Sequence, residues 1–205
     1  PYQSDSVANI FKKIQAVDSK DNLLYQLPTG GGKTVIFSEI ARQFIETNNK
    51  KVLILTHRVE LLRQTGGSLE RFGISNKLID SKTDKIPNQD KYQCFTAMVE
   101  TLNNRLNDDE NFIKEIGLVI VDEAHYNSFR KIFQFYGNAN IIGVTATPLS
   151  SNKALPLNDN YNNLNPKDPV ALNLFTKRDL INATEKAERR IKREKKEKEK
   201  LKQPV

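Results

Sequence analysis

Leu27-Pro28-Thr29-Gly30-Gly31-Gly32-Lys33-Thr34 is the stretch whose reading decides the fold. A short apolar run of strand length, residues 23–27, leads into it. Behind it Val35, Ile36, Phe37, Ile40, Ala41, Phe44 and Ile45 recur at three- and four-residue spacing, which gives a helix with one apolar face. Strand, glycine-rich turn and helix in that order are the context of a phosphate-binding loop. Glycines let successive backbone N–H groups curl around phosphate oxygens without a Cβ clash, and the helix N-terminus adds a favourable dipole. Lys33 is placed to meet the β- and γ-phosphates, and Thr34 to offer a hydroxyl to Mg²⁺. The strict pattern has Gly at its first position, where this chain has Leu27.

Working outward, further apolar runs lie at residues 52–55, 92–95, 118–121 and 141–144, mostly β-branched or aliphatic and bounded by polar residues or Gly. Runs without alternation suit strands buried on both faces of a parallel sheet. Leu61, Leu62, Leu69 and Phe72 mark a looser second helix. Such alternation predicts a doubly wound α/β domain. The run at 118–121 ends in Asp122-Glu123-Ala124-His125, two adjacent acids at the strand edge where ligands of such sheets bind. Asp122 suits Mg²⁺, and Glu123 suits the polarisation of an attacking water. The run at 141–144 ends in Thr145-Ala146-Thr147-Pro148.

Composition narrows the class. No apolar run reaches the ~20 residues of a membrane span, so no membrane partner is expected. With one cysteine, Cys94, an intrachain disulfide is impossible, and a reducing, cytoplasmic setting is expected. The net charge is +7, but residues 177–202 hold twelve Lys/Arg against six Asp/Glu. The body is therefore nearly neutral, and its charge alone makes no case for a polyanion partner. Residues 150–175, rich in Asn, Asp, Pro and Ser, read as a linker. Residues 176–205 read as a charged helical tail, solvated and laced with i,i+4 Glu–Lys pairs. The domain proper is expected over residues 1–149.

In order, PTGGGKT, VDEAH and TATP resemble motifs I, II and III of superfamily 2 helicases and translocases of the DEAD/DEAH-box type. The segment Leu55-Thr56-His57-Arg58-Val59-Glu60-Leu61-Leu62-Arg63-Gln64 is similar to motif Ia, and Thr96 and Thr101 resemble a later strand-contacting motif. Pro1-Tyr2-Gln3 looks like the family's adenine-reading segment. The resemblance covers about residues 1–150 and implies the first of two RecA-like domains. It implies ATP and Mg²⁺ as cofactors, held by Gln3, Thr29, Gly30, Gly31, Gly32, Lys33 and Thr34, with Lys33, Asp122 and Glu123 catalytic and Thr34 and Asp122 on the metal. It implies that His125, Thr145 and Thr147 couple nucleotide to nucleic acid, and that His57, Arg58, Thr96 and Thr101 touch the strand. DNA ranks ahead of RNA as that strand. The family's second RecA-like domain carries an arginine finger in a Q-x-x-G-R-x-G-R segment. That segment does not occur in these 205 residues, so the isolated chain is expected to turn over ATP weakly or not at all. The alternative function is an ATP-switched nucleic-acid-binding or scaffold module without productive hydrolysis. A GTPase is disfavoured, because neither Asn76-Lys77 nor Asn152-Lys153 continues into a guanine-reading Asn-Lys-x-Asp.

Overall fold

A computed structural model describes residues 2–16, 22–27 and 31–146. The linker and tail expected over 150–205 lie outside the described residues. Six strands form one parallel sheet: β1 (Leu23–Gln26), β2 (Lys51–Thr56), β3 (Asn76–Ile79), β4 (Cys94–Met98), β5 (Ile116–Asp122) and β6 (Asn140–Thr145). Their spatial order is β1-β6-β5-β2-β4-β3, and every pairing is parallel. Each parallel step needs a crossover. Helix α1 (Tyr2–Ala16) precedes β1, α2 (Lys33–Asn48) links β1 to β2, and α3 (Val59–Arg71) links β2 to β3. β3 reaches β4 without an α-helix, α4 (Val99–Asp108) links β4 to β5, and the single turn α5 (Arg130–Phe133) lies between β5 and β6.

The central strands are apolar throughout because both faces are covered. Val52 and Ile54 of β2 pack into one core cluster with Ile10 of α1, Ile36, Ile40 and Phe44 of α2, and Leu69 of α3. Leu53 and Leu55 pack into the other with Val99, Leu102 and Leu106 of α4 and Ile132 of α5. The two-residue alternation of the strand thus feeds two separate cores. The doubly wound α/β reading holds.

Several elements depart from the sequence expectations. The third apolar run starts its strand at Cys94 rather than Tyr92, because Tyr92 follows a short 3₁₀ turn at Gln89–Lys91. β3 was not anticipated: it is a four-residue strand that opens with Asn76-Lys77 and, among the described residues, lies at the sheet edge and pairs only with β4. Helices α1 and α4 were also not anticipated, although Val7, Ile10, Phe11 and Ile14 stand at helical spacing and lie buried or partly buried. Val35, assigned above to the apolar face of α2, is 45% exposed. Packing uses Ile36, Phe37, Ile40, Ala41 and Phe44 instead.

Candidate functional site

Because all six strands run the same way, their C-terminal ends share one edge of the sheet. β6 lies between β1 and β5, and β2 follows β5. The phosphate-loop end of β1, Thr145 of β6, Asp122 of β5 and His57 after β2 therefore stand side by side along that edge. Two backbone bonds stitch it together: Leu27 N–H donates to Thr145 O at 2.9 Å, and Ala124 N–H to Val144 O at 2.9 Å.

Thr29 and Gly30 of the loop lie outside the described residues, as does Thr147. Gly32 caps α2 in the left-handed region, φ +78°, and a Cβ there would collide with the amide nitrogen of Gln3. Gln3, far upstream in sequence, is thus pressed against the loop by α1. Lys33 opens α2, and its Nζ donates to Glu123 Oε1 at 2.5 Å. Thr34 follows at the partly exposed first turn.

Asp122 closes β5 and is 7% exposed. Its Oδ1 is buried with no hydrogen-bond partner. Burial pushes its carboxyl up to about 6, with Lys33 opposing that rise and Glu123 adding to it. A buried carboxylate oxygen without a donor is costly unless a cation meets it, and a hard oxygen donor suits Mg²⁺. The residues present thus fit the metal, which Asp122 and Thr34 would hold.

Glu123 itself takes a left-handed backbone, φ +55°, which a non-glycine residue adopts only when its surroundings enforce it. The turn swings its carboxylate toward Lys33 on one side and His125 on the other, where Oε2 lies 3.4 Å from Nδ1. The same Nδ1 is 2.9 Å from Thr145 Oγ1. His125 and Thr145, both expected to couple, therefore touch. Burial holds the imidazoles of His125 and His57 below the usual histidine range.

The expected strand contacts divide. His57 is half-buried, Arg58 is exposed, and Thr101 lies partly exposed on α4. Thr96 is a correction. It sits fully buried within β4, and its hydroxyl donates to Asn76 Oδ1 at 3.0 Å. It ties the edge strand to the sheet and cannot reach a nucleic acid. Tyr126 was missed: its ring lies between His125 and His57, with centroids 4.3 and 4.4 Å away. Its one sequence signal was its place directly after Asp122–His125. A cavity of about 620 Å³, lined by Lys51, Tyr92 and Glu115 among others, opens at the N-terminal ends of β2 and β5, the edge of the sheet opposite the site.

A glycine-rich loop, an acid pair and a hydrogen-bonded His–Thr at one edge of a parallel RecA-like sheet are those of the first domain of superfamily 2 helicases and translocases. The chain belongs to the family described as "Type III restriction enzyme, res subunit" (ResIII), whose model matches residues 1–150. It is 27% identical over 154 residues to the human protein named Helicase POLQ-like, a match covering 65% of this chain and 14% of that one. The Pyrococcus furiosus Hef helicase domain superposes with a TM-score of 0.55 at 28% identity, covering 68% of this chain and 33% of that one. The UvsW helicase of bacteriophage T4 shares the fold, with a TM-score of 0.56 at 22% identity over 71% of this chain and 51% of that one. The chain spans less than a quarter of the length of the curated relatives it matches.

Proposed function

We propose that this chain is the nucleotide-binding half of an ATP-dependent motor that unwinds or moves along nucleic acid, with DNA ranked ahead of RNA. The observation that carries the reading is the convergence of Lys33, Glu123 and the unpartnered Asp122 oxygen at one sheet edge. In this reading the γ-phosphate draws Lys33 away from Glu123. The freed carboxylate accepts a proton from the attacking water, and Gly31 and Gly32 present backbone N–H groups to the phosphates. Mg²⁺, when bound, neutralises charge on the β- and γ-phosphates. His57, Arg58 and Thr101 face the strand, and an arginine finger from a second RecA-like domain completes the site for hydrolysis.

The test uses the full-length protein with single-stranded DNA or RNA. Strand-stimulated ATP turnover that disappears in Glu123→Gln, with ATP binding retained, supports the motor. A strand affinity that changes with ATP but without turnover in the wild type would make the protein an ATP-switched binding module instead.

A further inference from the structure

Tyr126 stands between two parts of the site, the acid turn and the His57–Arg58 turn. It follows His125 directly, and its backbone N–H donates to Glu123 O at 3.1 Å, which closes the acid turn on itself. Its ring lies tilted 37° against His125 at 4.3 Å and edge-on to His57 at 4.4 Å. These are the two histidines of the whole sequence. His57 is held from behind by Phe129, itself 1% exposed, at 4.5 Å. Its Nε2 stands 3.2 Å from Ser128 Oγ. The far side of His57 leads straight into Arg58 and the start of α3. Tyr126 remains 37% exposed, so core packing alone gives no reason for an aromatic ring here.

We propose that Tyr126 is a positioning residue that transmits the state of Glu123 to the His57–Arg58 turn through the ring contacts His125–Tyr126–His57. The inference rests on the motor reading above. Its switch is the divided loyalty of Glu123, with one oxygen on Lys33 at 2.5 Å and the other facing His125 at 3.4 Å. When phosphate takes the Lys33 ammonium, the carboxylate loses its nearer partner and is free to close on His125. The nitrogen that faces the carboxylate, Nδ1, is the one that also meets Thr145 Oγ1, so as Glu123 takes a share of the Nδ1–H the ring pivots about that contact. The ring carries Tyr126 with it, and Tyr126 abuts His57. A coupling claim needs an element with two arrangements that both sites bias, and Glu123 between Lys33 and His125 is that element.

The experiment compares wild type, Tyr126→Ala and Tyr126→Phe in the full-length protein, using oligothymidylate as the strand and a non-hydrolysable ATP analogue or ADP as the nucleotide. Coupling free energies between sites typically correspond to 5–150-fold effects. The expectation is that Tyr126→Ala keeps unstimulated turnover and KM for ATP within about twofold, and keeps strand affinity without nucleotide. It should lose about tenfold or more of the strand stimulation, together with the difference in strand affinity between the two nucleotides. Tyr126→Phe, which keeps the ring, should behave as wild type. Wild-type stimulation in Tyr126→Ala would overturn the relay. Weaker nucleotide-free strand binding would overturn it too, by making Tyr126 a direct contact, as would loss of unstimulated turnover, by making it a structural part of the nucleotide site. A wild type that shows no strand stimulation would instead defeat the motor reading, and the relay with it.

Discussion

Lys33 and Glu123, ninety residues apart in sequence, meet at 2.5 Å between the start of α2 and the end of β5. The pair joins the group that would grip the γ-phosphate to the group that would activate water against it. Both side chains are largely shielded, at 14% and 28% exposure, so the contact is screened less than a surface ion pair. In the proposed function nucleotide binding would break it, and part of the gain from phosphate would be offset by that loss.

Two substitutions should therefore act in opposite directions on binding. Lys33→Ala removes the side-chain cation at the phosphates and should abolish measurable ATP binding. Glu123→Gln removes the anion that competes for Lys33 and should tighten ATP several-fold, in line with about 1 kcal/mol for a partly shielded pair, while turnover is lost. Titration with a fluorescent ATP analogue checks both. Weaker binding by Glu123→Gln would mean that the ion pair does not compete with nucleotide.

Asp122 should give the chain a pH signature. Its folded pKa of about 6 stands above the ordinary 3.8 because burial disfavours the charge. The folded state therefore holds this proton more tightly than the unfolded one. Stability falls as pH rises from about 4 to about 6 and is then level, at a cost on the order of 3 kcal/mol. Asp122→Asn removes the ionisation. In EDTA it should be more stable than wild type at pH 8, with the advantage closing near pH 4. Thermal melts at both pH values measure this, and an advantage independent of pH would contradict the buried-charge account.

Glycines separate loop function from helix cost. Gly67 lies inside α3, and a Cβ there would meet nothing within 4 Å. Gly67→Ala should stabilise the chain by about 0.5–1 kcal/mol through helix propensity alone. Gly32→Ala forces a Cβ onto a left-handed backbone and into Gln3. It should destabilise by roughly 1–2 kcal/mol and weaken ATP binding. Denaturant titrations set the two side by side, and a neutral Gly32→Ala would show that the loop does not need its left-handed turn.

What could be read from the residues followed from how completely local pattern determines an element. Residues 118–121 are buried on both faces, so hydrophobicity alone marked β5, and Asp122 and Glu123 had to emerge at its end. β3 left no such mark. An edge strand has one ladder to satisfy, and the polar Asn76 and Lys77 that open it break any apolar run that would mark a strand. The exposure of Val35 was hidden because a helical run of apolar residues does not say how wide a stripe the sheet will cover. Tyr126 was hidden for a different reason: its ring contacts join residues 57 and 126, and no local spacing records that.

Thr96 shows that position in a motif does not fix side-chain direction. Successive residues of a strand point to opposite faces, and Thr96 points into a fully covered one. The hydroxyl found a partner in Asn76 of β3. Thr96→Val keeps the shape and removes the donor. Asn76 is only partly buried, so water can satisfy its amide oxygen, and the cost should be a single hydrogen bond, about 1 kcal/mol. Strand affinity should stay at wild type. Arg58→Ala, on the exposed turn after β2, should instead weaken single-strand binding. It should also reduce the slope of log affinity against log salt by ~0.7 if the side chain neutralises one phosphate. The two variants are compared by urea melts and by single-strand titration over a salt series. Loss of strand binding in Thr96→Val with stability unchanged would return Thr96 to the strand interface, and a salt slope unaltered by Arg58→Ala would move the contact away from the His57–Arg58 turn.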